Sequence, residues 1–346
     1  MGEFISPSDI GVVIQGPIQS VGRTLTDLKT RAYDCTSDVK TMLEEIKSVG
    51  SLPIVVTWHD QNIGNFSFDE RGYIKKILFP GATIWKSLKN DWNNNSKYRQ
   101  YYSTLIGSLE LRNSGCKYVV KIRTDNLVDI SQLMRFILTL DPLKAEKYFY
   151  TPLINLDRPH MFYDFYFFAS ISKVEEFCNV ILYEKERTAN IHYDVFYRWT
   201  KHELNSKFSF SDIKLIYPKY PFYTKAQLRL IRKGLEEVYR PLPQKIWKSL
   251  YWRGEQLDAQ GIKEHYRFAE TPAENILSDF DTVKANVSDQ SSMDYLSIPS
   301  FFVTSRLEFY LNKVHDYIGA KRNSNQFLRN IARERSRLSS RLNFFD

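Results

Sequence analysis

Short apolar, β-branched runs alternate along much of the chain with longer stretches in which apolar residues recur at helical spacing. The runs at 10–18 and 118–122 are apolar enough to predict strands buried on both faces. Further strands are predicted at 52–58, 73–79, 147–152 and 161–169, and helices at 24–33, 38–49, 97–112, 130–140, 172–182 and 189–199. This alternation indicates an α/β protein with a mixed, mostly parallel sheet flanked by helices.

The character of the sequence changes near Pro218, where prolines punctuate a stretch rich in aromatic and basic residues. We therefore predict one domain over residues 1–217 and a helical C-terminal extension over residues 218–346. Helices are predicted in the extension at 244–252, 305–318 and 325–345. The last helix is amphipathic with arginines on one side, which predicts either contact with an anionic membrane surface or a docking or self-association helix.

The strand at 118–122 ends abruptly in polar residues, Arg123, Thr124, Asp125 and Asn126. Open α/β sheets bind ligands at the carboxyl ends of their strands. A guanidinium there can meet phosphate oxygens, and a carboxylate is a hard ligand suited to Mg²⁺ or Mn²⁺. The alternative is an ordinary strand end with a solvated ion pair.

Other candidate ligand-binding residues lie at neighbouring strand and helix ends. The first strand ends in Gln15, Gly16, Pro17 and Ile18, a turn that permits close backbone approach but lacks the pattern of a dinucleotide-binding loop. Trp58 ends the strand at 52–58 and either walls a base pocket or belongs to the core. Arg99 and Gln100 lie at the start of a helix, where an anion is attracted.

Three residues are candidates for acid–base chemistry. Asp164 lies within the aromatic run at 161–169, and a buried carboxylate must be paired, metal-bound or used in catalysis. His192 and Asp194 are neighbours near the start of a predicted helix, where the alternative is a polar helix start that serves the helix dipole. The Asp-Phe-Asp triplet at 279–281 follows a helical stretch rather than a buried strand, so we reject it as a metal site.

Composition narrows the class of protein. The 346 residues are 43% hydrophobic and 25% charged, as in a folded globular protein, and the three cysteines are too few and too dispersed for a disulfide framework or a zinc site. The net charge of +8 is concentrated near the C-terminus, which leaves a basic scaffold that binds nucleic acid or membranes as an alternative. Because no nucleic-acid-binding motif is present, we expect no nucleic-acid partner. We find no secretory signal and no apolar run of bilayer length.

Four pieces of sequence, in this order, resemble the WavE lipopolysaccharide-synthesis family of bacterial surface-glycan proteins. They are Val-Val-Ile-Gln-Gly-Pro-Ile18, Val-Thr-Trp58, Arg99-Gln100 with Ser103-Thr104 and Gly107, and Lys-Tyr-Val-Val-Lys-Ile-Arg-Thr-Asp125. The segment Asp164-Phe-Tyr-Phe-Phe-Ala169 is similar to a later block of the family, with Ala169 in place of its glycine. The resemblance covers residues 10–200 and does not extend beyond Pro218.

The resemblance implies a glycosyltransferase with a GT-A-like nucleotide-sugar fold over residues 1–217. Its donor would be a nucleotide-sugar and its acceptor a growing glycan or glycolipid of lipopolysaccharide or capsule. Gln15, Gly16, Pro17, Ile18 and Trp58 would frame the nucleotide, and Arg99, Gln100 and Arg123 would position its phosphates. Asp125 would hold Mg²⁺ or Mn²⁺ at the position where other GT-A enzymes carry Asp-x-Asp. Arg123 would neutralise part of the diphosphate charge in place of the cation. Asp164, and after it Asp194 with His192, would supply the general base.

We therefore expect a cytoplasmic transferase that is either free or peripheral at the inner membrane through its last helix, which also makes a homo-oligomer plausible. Another α/β nucleotide enzyme, such as a nucleotidyltransferase, is an alternative from a related class.

Overall fold

A computed structural model describes residues 4–23, 30–78, 96–152, 164–183, 191–204, 223–224, 233–243, 245–246, 250–256 and 295–296. The chain divides into a large unit from residues 1–208 and 229–278 and a small unit from residues 209–228 and 279–346. In the small unit, Tyr223–Thr224 (β10) pairs antiparallel with Tyr295–Leu296 (β14). The predicted boundary between residues 217 and 218 stays a prediction, although strands from beyond it lie in the large unit.

A seven-stranded sheet forms the centre of the large unit. In spatial order its strands are Tyr239–Pro241 (β11), Phe149–Thr151 (β8), Tyr166–Ser170 (β9), Tyr118–Arg123 (β6), Ile10–Gln15 (β1), Leu52–Trp58 (β4) and Ile74–Ile77 (β5). All neighbours are parallel except β9, which runs antiparallel to both β6 and β8. The expected α/β class with a mixed, mostly parallel sheet is confirmed.

The helices pack on the sheet and on one another. Thr36–Ser48 (α1) buries Val39, Met42, Leu43 and Ile46 and contacts both β4 and the helix Ile130–Ile137 (α4). Ser96–Asn113 (α3) packs on β1, β4 and the helix Ile171–Tyr183 (α6), which in turn contacts Ile191–Glu203 (α7). Two shorter helices, Phe68–Arg71 (α2) and Pro142–Lys147 (α5), and single turns of 3-10 helix at Pro7–Asp9 and of π-helix at Gly234–Val238 also lie within the described ranges.

Glycine allows α3 to lie unusually close to the sheet. A Cβ at Gly107 would come within 2.6 Å of the Val13 side chain and 3.2 Å of Val56. Strand alternation places Gln15 on the same face as Val13, and Trp58 on the same face as Val56. The start of α3 therefore lies over the carboxyl ends of β1 and β4, and this position defines the site.

Two antiparallel pieces extend beyond the main sheet. Gln19–Arg23 (β2) pairs with Thr30–Asp34 (β3), and Tyr251–Trp252 (β12) pairs on one side with Glu255–Gln256 (β13) and on the other with Asn126–Leu127 (β7). The second pairing brings a distant part of the chain to the loop that follows β6.

The structure corrects three predictions of secondary structure. The predicted helix at 24–33 is wrong over its described part, because residues 30–34 pair as a strand with 19–23 and cross-strand pairing overrides local preference. The strand predicted at 161–169 begins only at Tyr166, which leaves Asp164 before the strand. The helix predicted at 244–252 is wrong at Tyr251 and Trp252, which form β12. The helices predicted at 305–318 and 325–345 lie outside the described residues.

Candidate functional site

A cavity of about 290 Å³ opens where the carboxyl ends of β1, β4 and β6 meet the start of α3. Its volume lies near the lower end of the range for small-molecule sites in proteins. Its position is the one that open α/β sheets use for ligands. The residues that line it are Gln15, Gly16, Pro17, Ser20, Val21, Tyr33, Trp58, Arg99, Gln100, Arg123, Thr124, Asp125 and Arg253.

The structure brings together nearly all the ligand-binding and metal-binding candidates from the sequence. The exception among these candidates is Ile18, which does not line the cavity. Its side chain is fully buried, and its carbonyl accepts a hydrogen bond from the Cys35 backbone N–H. The shared location supports the grouping, while the ligand-binding role of each residue stays a prediction.

The floor of the cavity is formed by the two loops that follow β1 and β6. Gly16 has a φ of +128°, and a Cβ there would lie 2.8 Å from the Thr124 hydroxyl oxygen. That hydroxyl donates to the Pro17 carbonyl over 2.7 Å, and the Thr124 backbone N–H donates to the Gln15 carbonyl over 2.9 Å. Glycine is therefore needed at position 16 for both its backbone conformation and its closeness to the second loop.

One wall combines an aromatic ring with an arginine. The Arg99 guanidinium lies 4.7 Å from the centre of the Trp58 ring, a cation–π contact. Both residues line the cavity, and Arg99 lies in the first turn of α3, where the helix dipole favours an anion. Gln100 is 8% exposed, and within the described part of the chain its side-chain Nε2 has no hydrogen-bond partner. A ligand carbonyl would satisfy this buried donor.

The buried Asp125 carboxylate forms the centre of a partly buried polar cluster. Arg123 donates to both of its carboxylate oxygens, from Nε and Nη2, over 2.8 Å each. Trp252 Nε1 and Arg253 Nε donate to Oδ2 over 3.0 and 3.1 Å. Two-point contact with a guanidinium is the strongest form of this ion pair. The carboxylate thus joins the loop after β6 to the hairpin β12–β13.

Burial and charge act in opposite directions on this cluster. Burial alone would raise the pKa of the Asp125 carboxyl, but Arg123 and then Arg253 outweigh it, so the pKa lies below its ordinary value. Burial would lower the pKa of the Arg123 guanidinium, but Asp125 and Asp164 outweigh that effect and raise it. Asp125 and Arg123 are therefore both charged at neutral pH.

Arg253 is a cavity residue that sequence reasoning missed. It occupies the first central position of the two-residue turn between β12 and β13, with a φ of +53°, and Gly254 follows with a φ of +80°. The sequence signal was the dipeptide Arg253-Gly254 between two short polar-aromatic strands, a weak hairpin pattern. Ser20, Val21 and Tyr33 were missed because their segment was predicted in part as a helix.

Asp164 lies next to the cavity wall rather than on it. Its carboxylate Oδ2 is 3.5 Å from Arg123 Nη1, and its backbone carbonyl accepts a hydrogen bond from the Lys121 ammonium. Lys121 is fully buried, and burial lowers the pKa of its ammonium to about 7. Asp164 therefore contacts the cavity through Arg123, and its predicted role as a base stays a prediction.

The positions of the remaining candidate side chains relative to this cavity are not described. His192 and Asp194 lie in the first turn of α7, and their side chains fall outside the described residues. The rejected triplet at 279–281 also lies outside them.

The described residues do not form a conventional site for Mg²⁺ or Mn²⁺. No group of three or more His, Cys, Asp or Glu side chains comes together in that part of the chain. The predicted ligand, Asp125, has four N–H donors on its two oxygens. A cation there would have to displace an arginine, so the donor set does not fit a resident divalent metal.

Fold and site together define an α/β protein with a cationic, aromatic-walled cavity at the carboxyl ends of its strands. Residues 10–155 match the model of the family described as WavE lipopolysaccharide synthesis. The match confirms the resemblance over that part of the chain.

Other comparisons add little. No curated protein matches the chain. One solved structure that is similar, titled as that of a cytidylyltransferase from Leptospira borgpetersenii serovar Hardjo-bovis (strain JB197), shares 10% identity at a TM-score of 0.32. That comparison covers 83% of this chain and 99% of the other.

We predict that Asp125→Ala lowers the free energy of unfolding by about 3–5 kcal/mol, because it removes a buried carboxylate and leaves two partly buried guanidinium groups without their acceptor. Urea denaturation measures the change. Glu110→Ala is the control: its ion pair with Lys75 is exposed, so its loss should cost at most about 1 kcal/mol. Equal, small losses in both variants would contradict the central role of Asp125.

We predict that Lys121 makes stability rise with pH. Its folded pKa of about 7 lies below the ordinary 10.5, so the unfolded chain binds a proton that the folded protein lacks between these values. The free energy of unfolding of the wild type, relative to Lys121→Met, should therefore climb by up to about 1.4 kcal/mol per pH unit inside that window. Denaturation of both proteins from pH 6 to 10 measures the difference, and a flat difference would show that Lys121 titrates normally.

Proposed function

We infer that this protein is a glycosyltransferase that moves a sugar from a nucleotide-sugar donor to a growing bacterial surface glycan, with the donor nucleotide bound in the strand-end cavity. The observation that carries the proposal is the convergence of an aromatic ring, an unsatisfied amide and several guanidinium groups in one cavity of a chain linked to lipopolysaccharide synthesis.

The cavity offers a separate contact for each part of a nucleotide. The Trp58 ring supplies a face on which a base can stack. The Gln100 amide and the buried Gln15 side chain offer hydrogen bonds to the polar edge of the base or to the ribose. Arg99 and Arg123 provide charge for the phosphates, and the loop with Gly16 allows the ligand close to the backbone.

Sugar transfer makes two chemical demands on the site. The bond between the anomeric carbon and the phosphate oxygen breaks, and the nucleotide leaves with the electron pair, so cationic groups near the phosphates favour departure. The acceptor hydroxyl forms the new bond and gives up its proton, which requires a base in reach if the reaction inverts configuration. Asp164 is our first candidate for that base, with Asp194 or His192 as the second.

The acceptor and location follow from the same proposal. We propose a glycan or glycolipid of lipopolysaccharide or capsule as acceptor, met at the cytoplasmic face of the inner membrane. No helix among the described residues is long and apolar enough to cross a bilayer. The basic segment 325–345 is the proposed contact with the membrane surface or with a second copy of the chain.

Nucleotide binding tests the proposal first. We expect one member of a panel of UDP, GDP, dTDP, ADP and CMP to raise the melting temperature, because a ligand that binds only the folded state stabilises it by mass action. At about 100 times its Kd, the gain is about 2.7 kcal/mol. A Trp58→Ala variant should lose most of this shift.

The matched control is Tyr73→Ala, which removes an aromatic ring in contact with a cation, Lys47, outside the cavity. It should leave the nucleotide shift unchanged. With the nucleotide-sugar of the same base, the protein should release nucleoside diphosphate or monophosphate when acceptor is added. Release of pyrophosphate from a nucleoside triphosphate would instead identify a nucleotidyltransferase, and no shift with any nucleotide would favour the basic scaffold.

A second prediction concerns the base. If Asp164 takes the proton of the acceptor, Asp164→Asn should lower kcat by about 100-fold or more while the Kd of the donor nucleotide changes little. Steady-state kinetics and nucleotide titration measure the two quantities. Normal turnover would remove Asp164 from the proton-transfer step, and a weaker Kd with normal kcat would show that it positions Arg123.

A further inference from the structure

We propose that Arg253, carried by the hairpin β12–β13, binds the phosphate groups of the donor nucleotide, so that guanidinium groups rather than a divalent cation on Asp125 neutralise their charge. The inference rests on the proposed nucleotide-sugar function and adds to it a binding residue and a metal-independent mode of binding.

The backbone of Arg253 indicates that its side chain has a function. A two-residue turn with positive φ at both central positions favours Asn-Gly, because these residues tolerate the left-handed region. Here the first central residue is an arginine with a φ of +53°. Long side chains rarely occupy this region, and such residues cluster at ligand sites.

Its surroundings hold the guanidinium at the cavity wall. The Arg253 backbone N–H donates to the Asp125 carbonyl over 2.9 Å, and the side-chain Nε donates to the Asp125 carboxylate. The guanidinium lies 4.7 Å from the Tyr33 ring centre and 4.6 Å from that of Trp252. Contacts on three sides fix its orientation before a ligand arrives, which reduces the entropy lost on binding.

The absence of a side chain at Gly22 provides the space for this arrangement. A Cβ there would lie 2.1 Å from Arg253 Nη1 and 2.3 Å from Cζ. The guanidinium therefore rests directly on the backbone of β2, and a methyl group at position 22 would push it away. This gives a way to displace Arg253 without removing its charge.

The charges of the wall suit phosphate. Among the residues that the structure describes, Arg99, Arg123 and Arg253 line the cavity with one carboxylate, Asp125, and even with Asp164 included the cations are in excess. Each esterified phosphate carries about one negative charge. Guanidinium groups match phosphate oxygens in geometry as well as in charge. The same carboxylate that a metal would need is the one that holds Arg123 and Arg253 in place.

The test is calorimetric titration of the full chain with the nucleotide that stabilises it most in the panel above, once in EDTA and once in Mn²⁺. We expect binding in EDTA, with a Kd within about threefold of that in Mn²⁺. Arg253→Asn keeps a favourable turn but removes the guanidinium, and should weaken binding by about 10- to 100-fold, the range for lost hydrogen bonds to a charged group. Gly22→Ala should weaken binding in the same direction.

The control variant is Arg240→Ala. Its guanidinium lies 3.7 Å from the Tyr148 ring centre and donates to the Tyr239 and Glu236 carbonyls, so it resembles Arg253 but lies outside the cavity wall. Nucleotide affinity should be unchanged in this variant, and melting temperatures of all variants check that they are folded.

The outcomes separate this inference from the proposed function. Binding that needs Mn²⁺ or Mg²⁺ would overturn the inference and leave the transferase proposal intact. Metal-independent binding that is unaffected by Arg253→Asn and Gly22→Ala would overturn the role of Arg253. No binding of any nucleotide by the wild type, with or without metal, would overturn both.

Discussion

The ion pairs of the Asp125 carboxylate hold the site together. This single side chain joins the loop after β6 to a hairpin that lies far along the chain, and it fixes the position of two of the three arginines in the cavity wall. Because charges are costly to bury alone, the carboxylate and the guanidinium groups can exist in this place only together. The shape of the cavity and its positive charge therefore have one common origin.

Such an arrangement differs from one in which a carboxylate presents free oxygens to a cation. The lowered pKa of Asp125 and the raised pKa of Arg123 keep both groups charged over the physiological range. The site therefore keeps its charge without any bound ion. Nearby, the fully buried Lys121 has a lowered pKa, so the net pKa shifts of two cations two residues apart on one strand have opposite signs, although burial lowers the pKa of both. Both cations lie near Asp125 and Asp164, but Arg123 donates two hydrogen bonds to the Asp125 carboxylate, whereas the Lys121 ammonium donates to the backbone carbonyl of Asp164.

Much of the fold and part of the site could be predicted from the sequence. Apolar runs predicted the main strands, and Gln15, Trp58, Arg99 and Arg123 were predicted from their places at strand and helix ends. Parallel strands bring such ends together, so their convergence follows from local signals. Arg253 gave no comparable signal, because its place depends on a pairing between segments more than a hundred residues apart.

The role of Asp125 shows a second limit of sequence reasoning. A carboxylate two residues after an arginine suits a metal site and an ion pair equally well in sequence. The distinction comes from Trp252 and Arg253, which approach the carboxylate only in the folded chain. The β2–β3 pairing is a similar case. The local sequence of residues 24–33 favours a helix, and the cross-strand contacts that make residues 30–34 a strand form only in the folded chain.

The long-range contact between Asp125 and Arg253 also bears on how the protein acquires its site. The residues are 128 positions apart, so the contact forms only after a large loop has closed, and such contacts are slow to form in folding. During synthesis the strands of residues 10–123 emerge long before Arg253 does. A nascent chain can therefore build the floor of the cavity early while it still lacks part of the wall, and completion of the wall marks a late step of folding.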